Sequence, residues 1–183
     1  MTTVGVVYFS GSGTTAKLAE SVITGATEAG ASVLDLPIVG TDIIEGRWAN
    51  DGIAESLDSC DAIIFGTPTY MGSVSGQLKS FMDAMAPRWF AQTWRNKLAS
   101  GFTASSLASG DKSGAFTAMT NFAMQMGMVW VGTGASFSEG LNPNGFYYGA
   151  GATASTPDQL TEIDLKTGQH LGGRVVEVAH RLS

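Results

Sequence analysis

This chain is short of cysteine, with one, of histidine, with two, and of the basic pair lysine and arginine, with ten in 183 residues. Each shortage excludes something. A lone thiol, Cys60, cannot close an internal disulfide, and it fits a reducing cytoplasm. It stands just before an apolar run, where a structural thiol is expected rather than a nucleophile. His170 and His180 have no cysteine or carboxylate at ligand spacing beside them, so no metal-binding residues are nominated. Both are expected on a C-terminal helix, facing solvent. Sixteen acidic residues outnumber the ten basic ones, for a formal charge of −6. No Lys/Arg cluster is left to meet nucleic-acid phosphates. No apolar run approaches the roughly 20 residues that cross a bilayer. No signal peptide is expected either, because no charged leader precedes the first apolar run. Charged residues amount to only 14% against 44% hydrophobic, which excludes a disordered chain. The expectation is a soluble, cytoplasmic protein, one domain over 1–183 with a sizeable core.

What is present alternates. Residues 4–9 form a β-branched and aromatic run that reads as a buried strand, and 16–23 repeat apolar side chains at helical spacing. Gly30 suits the left-handed end of that helix, and 31–36 give a second strand. Residues 37–51 read as a loop tucked down by Ile43, Ile44 and Trp48, followed by a short helix over 52–57. Residues 62–66 are almost continuously apolar, as in a strand covered on both faces. Leu78, Phe81, Met82 and Met85 then make one helical stripe. A fourth strand is expected over 98–103, a helix near 115–125 and a fifth strand near 128–131. Met119, Met124, Met126 and Met128 along this stretch suit core packing or a subunit interface better than a cofactor box. Residues 133–155 are a Gly/Asn/Tyr-rich excursion longer than most structureless connections. Thr156-Pro157-Asp158-Gln159 matches a capping box that opens the last helix. The abundant glycines gather in the connections and in the excursion.

Five strands alternating with helices predict an open, parallel, doubly wound α/β sheet. Such sheets bind ligands beyond the C-terminal strand ends. The connections after the first, third and fourth strands lie at that edge, and all three are rich in Gly, Ser and Thr. The first, Ser10-Gly11-Ser12-Gly13-Thr14-Thr15, has four hydroxyls and two glycines ahead of a helix N-terminus. Glycines let amide N–H groups converge, hydroxyls add uncharged donors, and the helix end supplies partial positive charge, so the loop suits a phosphate. Two patterns fit it. Gly11-x-Gly13-x-x-Ala16, with Asp35 about 20 residues on, matches the dinucleotide fingerprint. Ser10-x-Ser12-Gly13-x-Thr15 resembles the FMN-phosphate loop of the flavodoxin-like fold. That pattern suits a terminal dianion wrapped without a buried cation.

The second connection carries a family resemblance. Residues 63–83, with Gly66-Thr67-Pro68-Thr69, Gly72 and Ser75-Gly76-Gln77 at their centre, closely resemble the WrbA family of FMN-dependent NAD(P)H:quinone oxidoreductases. Trp89, Lys97-Leu98-Ala99-Ser100, Gly127-Met128-Val129, Tyr148-Gly149-Ala150 and the closing helix look like that family too. The resemblance implies a flavodoxin-like fold, with a five-stranded parallel sheet in the order 2-1-3-4-5 and helices on both faces. It implies that Ser10, Ser12, Gly13, Thr14 and Thr15 hold an FMN phosphate. Pro68, Thr69, Tyr70, Met71, Gly72 and Ser73 would line one edge and face of the isoalloxazine, with N–H groups near Gly72 and Ser73 bonding the ring. Thr103, Ala104, Ser105, Ser106, Ser109, Gly110 and Asp111 would supply ribityl and ring contacts. Hydride would come from NAD(P)H and two electrons would go to a quinone-type acceptor, with no catalytic side chain nominated. The family's homotetramers complete their active sites with neighbouring subunits, though shorter loops here leave a dimer open. Trp89, Phe90 and Trp94, expected beside the flavin edge, would serve that assembly or fill a local core.

There are departures. Gln125 and Met126 stand where the family often has a His pair near the flavin. The third connection lacks the family's run of glycines, and the segment between the second strand and second helix is short. Two rivals therefore stay open: a flavodoxin-like FMN-binding electron carrier without rapid NAD(P)H turnover, and a nicotinamide-only dehydrogenase.

Overall fold

A computed structural model describes residues 1–135 and 137–182. Ser136, inside the excursion expected over 133–155, lies outside the described residues. In chain order the elements are β1 (Thr3–Phe9), α1 (Thr14–Glu28), β2 (Ser32–Ile38), the short strands β3 (Ile43–Ile44) and β4 (Arg47–Trp48), and α2 (Asp51–Asp58). Then follow β5 (Ala62–Pro68), α3 (Gly76–Ala84), α4 (Ala86–Ala91), β6 (Leu98–Ser105), α5 (Lys112–Gln125), β7 (Val129–Trp130), β8 (Ala150–Thr153) and α6 (Glu162–Leu182). The main sheet is parallel and runs β2-β1-β5-β6-β7, with β8 also on β6. Leaving aside the β3-β4 hairpin, this is the expected order 2-1-3-4-5.

Period-two alternation explains the two cores. β5 is buried along its whole length. Ile63 and Phe65 pack with α2, α3 and α5, while Ala62 and Ile64 pack with α1 and α6. Each face thus removes apolar surface from water at roughly 25 cal/mol per Å². The α3 stripe is buried as expected, and the Ser75 hydroxyl caps that helix by accepting from the Leu78 N–H at 3.2 Å. α1 ends in a Schellman motif: Ala31 N–H bonds Ala26 O, Gly30 N–H bonds Thr27 O, and Gly30 has φ +92°.

Five expectations need correcting. The fifth strand position is shared by two segments: β7 pairs with the start of β6, and β8 returns to pair with its end. The excursion therefore interrupts one strand, and it is bonded down, with Trp130 Nε1–H on Tyr148 O at 2.9 Å. The last helix opens at Thr161, not Thr156. Asp164 N–H donates to Thr161 Oγ1 at 3.2 Å and Thr161 N–H to Asp164 Oδ2 at 3.1 Å, whereas 157–159 make one 3-10 turn. Glycine is also used inside helices. A Cβ on Gly25 would collide with Gln169 O and one on Gly172 with Val22 O, so α1 and α6 touch backbone to backbone. Finally, His170 is partly buried with Nε2 2.9 Å from Thr133 O, and Ile44 is exposed, while Trp48 alone packs edge-on against Phe81.

Candidate functional site

The C-terminal ends of β1, β5 and β6 deliver three loops to one edge of the sheet, as sterically linked neighbours. In the first, Gly13 is the helix N-cap at φ +91° and accepts the first helical bond, from Lys17 N–H at 2.9 Å. Ala16 N–H turns back to Ser10 Oγ at 3.1 Å. The five N–H groups of residues 11–15 have no acceptor among the described residues. Ser12 Oγ lies 3.2 Å from Thr14 Oγ1 and donates to Ser155 O at 3.3 Å, which ties in the segment after β8. The nearby cation, Lys17, is exposed and paired with Glu20 at 2.7 Å. A row of unpaired amides flanked by hydroxyls at a helix N-terminus, without a cation, fits a group that brings its own negative charge. A phosphate is such a group.

In the second loop, Tyr70 and Ser73 exchange N–H···O bonds of 3.0 and 3.1 Å around Met71 at φ +49° and Gly72 at φ +73°. The Ser73 N–H is therefore used up inside the turn. Of the two N–H groups expected to meet a ring, Gly72's is the one without an acceptor. Tyr70 crosses to the first loop, and a Cβ on Gly11 would strike its hydroxyl. The tyrosine is 47% exposed, so it borders the cleft instead of sitting in the core. Thr69 Oγ1 lies 2.8 Å from Thr103 Oγ1, and Thr103 in turn donates to Thr67 O at 2.7 Å. Thr103 is thus a buried tie between β5 and β6 and supports Thr69 from beneath; Pro68 and Ala104 are buried strand ends beside it.

The third loop closes on the second. A Cβ on Gly114 would collide with Gly72 O, so only glycine lets α5 start this close. Ser105 Oγ donates to Leu107 O at 2.8 Å, Gly110 and Asp111 both have φ +52°, and Asp111 and Ser106 are exposed. Beneath lies Lys112, fully buried, with Nζ 2.9 Å from Leu107 O and 2.8 Å from Ala108 O. Burial pulls its pKa down to about 8, with Asp164 opposing. The sequence reading missed Lys112, because nothing local marks it as buried. It also missed Ser155 and Pro157, which flank the first loop because β8 occupies the fifth strand position.

Several candidates lie elsewhere. Asp35 is in mid-strand, three residues short of the end of β2, and faces the Tyr8 hydroxyl. Burial, then Asp35, pushes that tyrosine up to about 12. It is not at the loop edge where a ribose carboxylate would stand. Trp94 is wholly buried and donates to Asp58 Oδ1 at 2.7 Å, at the opposite end of the sheet. Trp89 and Phe90 pack on each other at 4.6 Å on α4, remote from the three loops. Gln125 and Met126 end α5 at that same far end, so within one chain neither reaches the cleft. Met119, Met126 and Met128 are core and Met124 is 49% exposed; Cys60 is buried, which raises its pKa. Among the described residues no group of three or more His, Cys, Asp or Glu is placed to hold a metal ion. Among the described residues no helix is long and apolar enough to cross a membrane.

A doubly wound parallel sheet with a phosphate-type loop after β1 and two more loops beside it is a flavodoxin-like fold. Comparison adds the family. The family model for NADPH-dependent FMN reductase matches residues 4–141, and the chain belongs to that family. It is 34% identical to flavodoxin FldP of Pseudomonas aeruginosa, over 97% of this chain and 96% of that one. It is 33% identical to an NAD(P)H dehydrogenase (quinone) of Archaeoglobus fulgidus, over 97% of each. The crystal structure of the flavodoxin, WrbA-like protein from Agrobacterium tumefaciens superposes with a TM-score of 0.80 at 36% identity, covering all of both chains.

Proposed function

We propose that the chain, as one unit over 1–183, holds FMN between the three loops and works as an NAD(P)H:quinone oxidoreductase. The observation that carries this reading is the row of unbonded N–H groups at 11–15, joined to two further loops by direct contact. FMN, when bound, supplies the two-electron chemistry between NAD(P)H and a quinone-type acceptor. The chain's residues do the rest. Ser10, Ser12, Gly13, Thr14 and Thr15 hold the phosphate, and the partly exposed 69–73 turn and residues 105–111 bound the ring. Ser105, Ser106, Ser109, Gly110 and Asp111 supply polar groups on the opposite side from Tyr70. The hydride step needs no side chain as acid or base, since a hydride moves as a unit; the one further proton that turns the quinone into a hydroquinone comes from solvent, and an open ring face used by both substrates in turn gives ping-pong kinetics. Relatives named NAD(P)H dehydrogenase (quinone), at about the same identity over nearly the full chain, support this reading.

A surface away from the three loops supports a homo-oligomer. α3 and α5 border a groove of roughly 670 Å³ lined by Met82, Trp89 and Phe122, with Gln125 at its end. A dimer or tetramer that covers it would bury Trp89 and Phe122 against a neighbour. The single, buried cysteine supports a cytoplasmic setting.

The P. aeruginosa relative named a flavodoxin favours a second reading, an FMN-binding electron carrier. An anaerobic stopped-flow trace of FMN-loaded protein mixed with NADH or NADPH separates the two. Bleaching of the flavin followed by its return on adding benzoquinone is expected. A flavin that stays bound but oxidised leaves the carrier, and a chain that takes up no flavin ends both readings.

A further inference from the structure

The third loop is held from inside by a charge. The buried Lys112 ammonium has three hydrogens and three acceptors: Leu107 O at 2.9 Å, Ala108 O at 2.8 Å and Thr153 Oγ1 at 3.3 Å. The Phe146 ring covers it, with Nζ 5.4 Å from the centroid. Its acidic counterpart is indirect. Thr153 Oγ1 donates to Asn144 Oδ1 at 2.8 Å, and Asn144 Nδ2 reaches Asp164 Oδ1 at 3.4 Å. The charge is therefore spent on loop carbonyls and not on a carboxylate.

That choice has a geometric consequence. In a trans peptide the C=O and N–H point in opposite directions. With Leu107 O and Ala108 O drawn inward, the N–H groups of the same two peptide units, on Ala108 and Ser109, point away from the ammonium. Both residues are exposed, and neither N–H has an acceptor among the described residues. Two successive outward amides make a donor pair suited to an electron-rich oxygen. Loop 105–111 contains a single glycine, Gly110, so backbone freedom alone does not gather these amides.

We propose that Lys112 is a positioning residue for the flavin ring: by pulling two loop carbonyls into the fold it turns the Ala108 and Ser109 N–H groups toward the cleft as paired donors to an isoalloxazine carbonyl oxygen. This rests on the reading of the three loops as an FMN site. The donors and the charge behind them favour added electron density on the ring, so they also make the bound flavin easier to reduce.

The test is an amide ¹⁵N–¹H titration of the whole protein with FMN and, separately, with inorganic phosphate, alongside flavin fluorescence quenching. In the wild type, FMN should move the Ala108 and Ser109 signals together with those of residues 11–15, whereas phosphate should move the latter alone. If FMN binds and Ala108 and Ser109 stay still, the proposal fails whatever the variants do. If FMN does not bind at all, the functional reading fails with it, a distinct outcome. Lys112→Met should keep the phosphate response, lose the Ala108 and Ser109 response, weaken FMN by about tenfold or more, and lower the flavin midpoint potential. Lys112→Gln, too short to reach both carbonyls and uncharged, should follow it and serves if the methionine variant does not fold. FMN affinity within about twofold of wild type in a folded variant, or an equal loss of phosphate and FMN, overturns the positioning role.

Discussion

Residues 10–15 and residues 105–111 each follow a buried parallel strand and each lead into a helix, yet their shapes are held by different means. The first loop turns at Gly13, leaves room for the Tyr70 hydroxyl at Gly11 and is pinned by hydroxyls, with no cation bonded to it among the described residues. The third has one glycine and is pinned by the buried Lys112. The difference follows from what each can meet. A phosphate brings its own charge, so neutral amides and a helix end bind it without the desolvation cost of a buried cation. A flavin carbonyl oxygen is uncharged and rewards only well-aimed donors, so what counts in the third loop is the orientation of peptide units. A lysine bonded to two carbonyls sets that orientation firmly, and the Phe146 ring and the Thr153–Asn144 chain offset part of its burial cost.

The contrast can be broken most strongly at the first loop. Ser12→Asp places a carboxylate among the amides of residues 11–15, where it competes with phosphate. FMN affinity should fall by about 100-fold, close to 3 kcal/mol, as read by fluorescence quenching. Next comes the junction of the second and third loops. Gly114→Ala forces a Cβ into Gly72 O, so the loops must part. FMN binding should weaken by about tenfold while the response to inorganic phosphate is unchanged. If both ligands suffer equally, the loops are not separable in the way described.

A smaller effect concerns pH. Lys112 loses its proton near pH 8 in the folded chain and near 10.5 when unfolded, so the unfolded state binds more protons between those values. Its contribution to stability therefore rises with pH across that window. Wild type should gain stability over Lys112→Met by on the order of 1 kcal/mol between pH 7.5 and 9.5, measured as a difference of urea midpoints that cancels the opposing shifts of Cys60 and Tyr8. A difference that stays flat would mean the ammonium is better solvated than its burial implies. The smallest effect is the sharpest check on neutrality. Lys17 is exposed and paired with Glu20, so Lys17→Gln should change FMN affinity by less than about twofold. A large loss would give the first loop a cation after all.

The two loops also differed in how far they could be read in advance. The first was legible because all its parts are adjacent in the chain: strand, glycines, hydroxyls, helix. The alternation of strands and helices and the order 2-1-3-4-5 were legible for a similar reason, since periodicity is local and the family resemblance supplied the order. Lys112 was not legible, because a lysine after Ser-Gly-Asp looks like any solvated helix start. What buries it is Thr153 and Phe146, far along the chain, beside a strand the sequence reading did not expect. The same displacement hid Ser155 and Pro157. Trp89, Phe90 and Trp94 were placed by the resemblance and not by any local signal, and α3 carries them to the other end of the sheet.

By itself, then, the sequence determined the α/β class, the buried parallel strands and the glycine- and hydroxyl-rich loop ahead of α1, because hydrophobic period, turn chemistry and helix starts act over a few residues. Only the tertiary structure decided that the fifth strand position is shared between β7 and β8, that glycines let α1 and α6 touch, and that a lysine lies beneath the third loop. Each of those depends on which distant backbone comes within van der Waals or hydrogen-bond reach, and reach is a property of the packed chain.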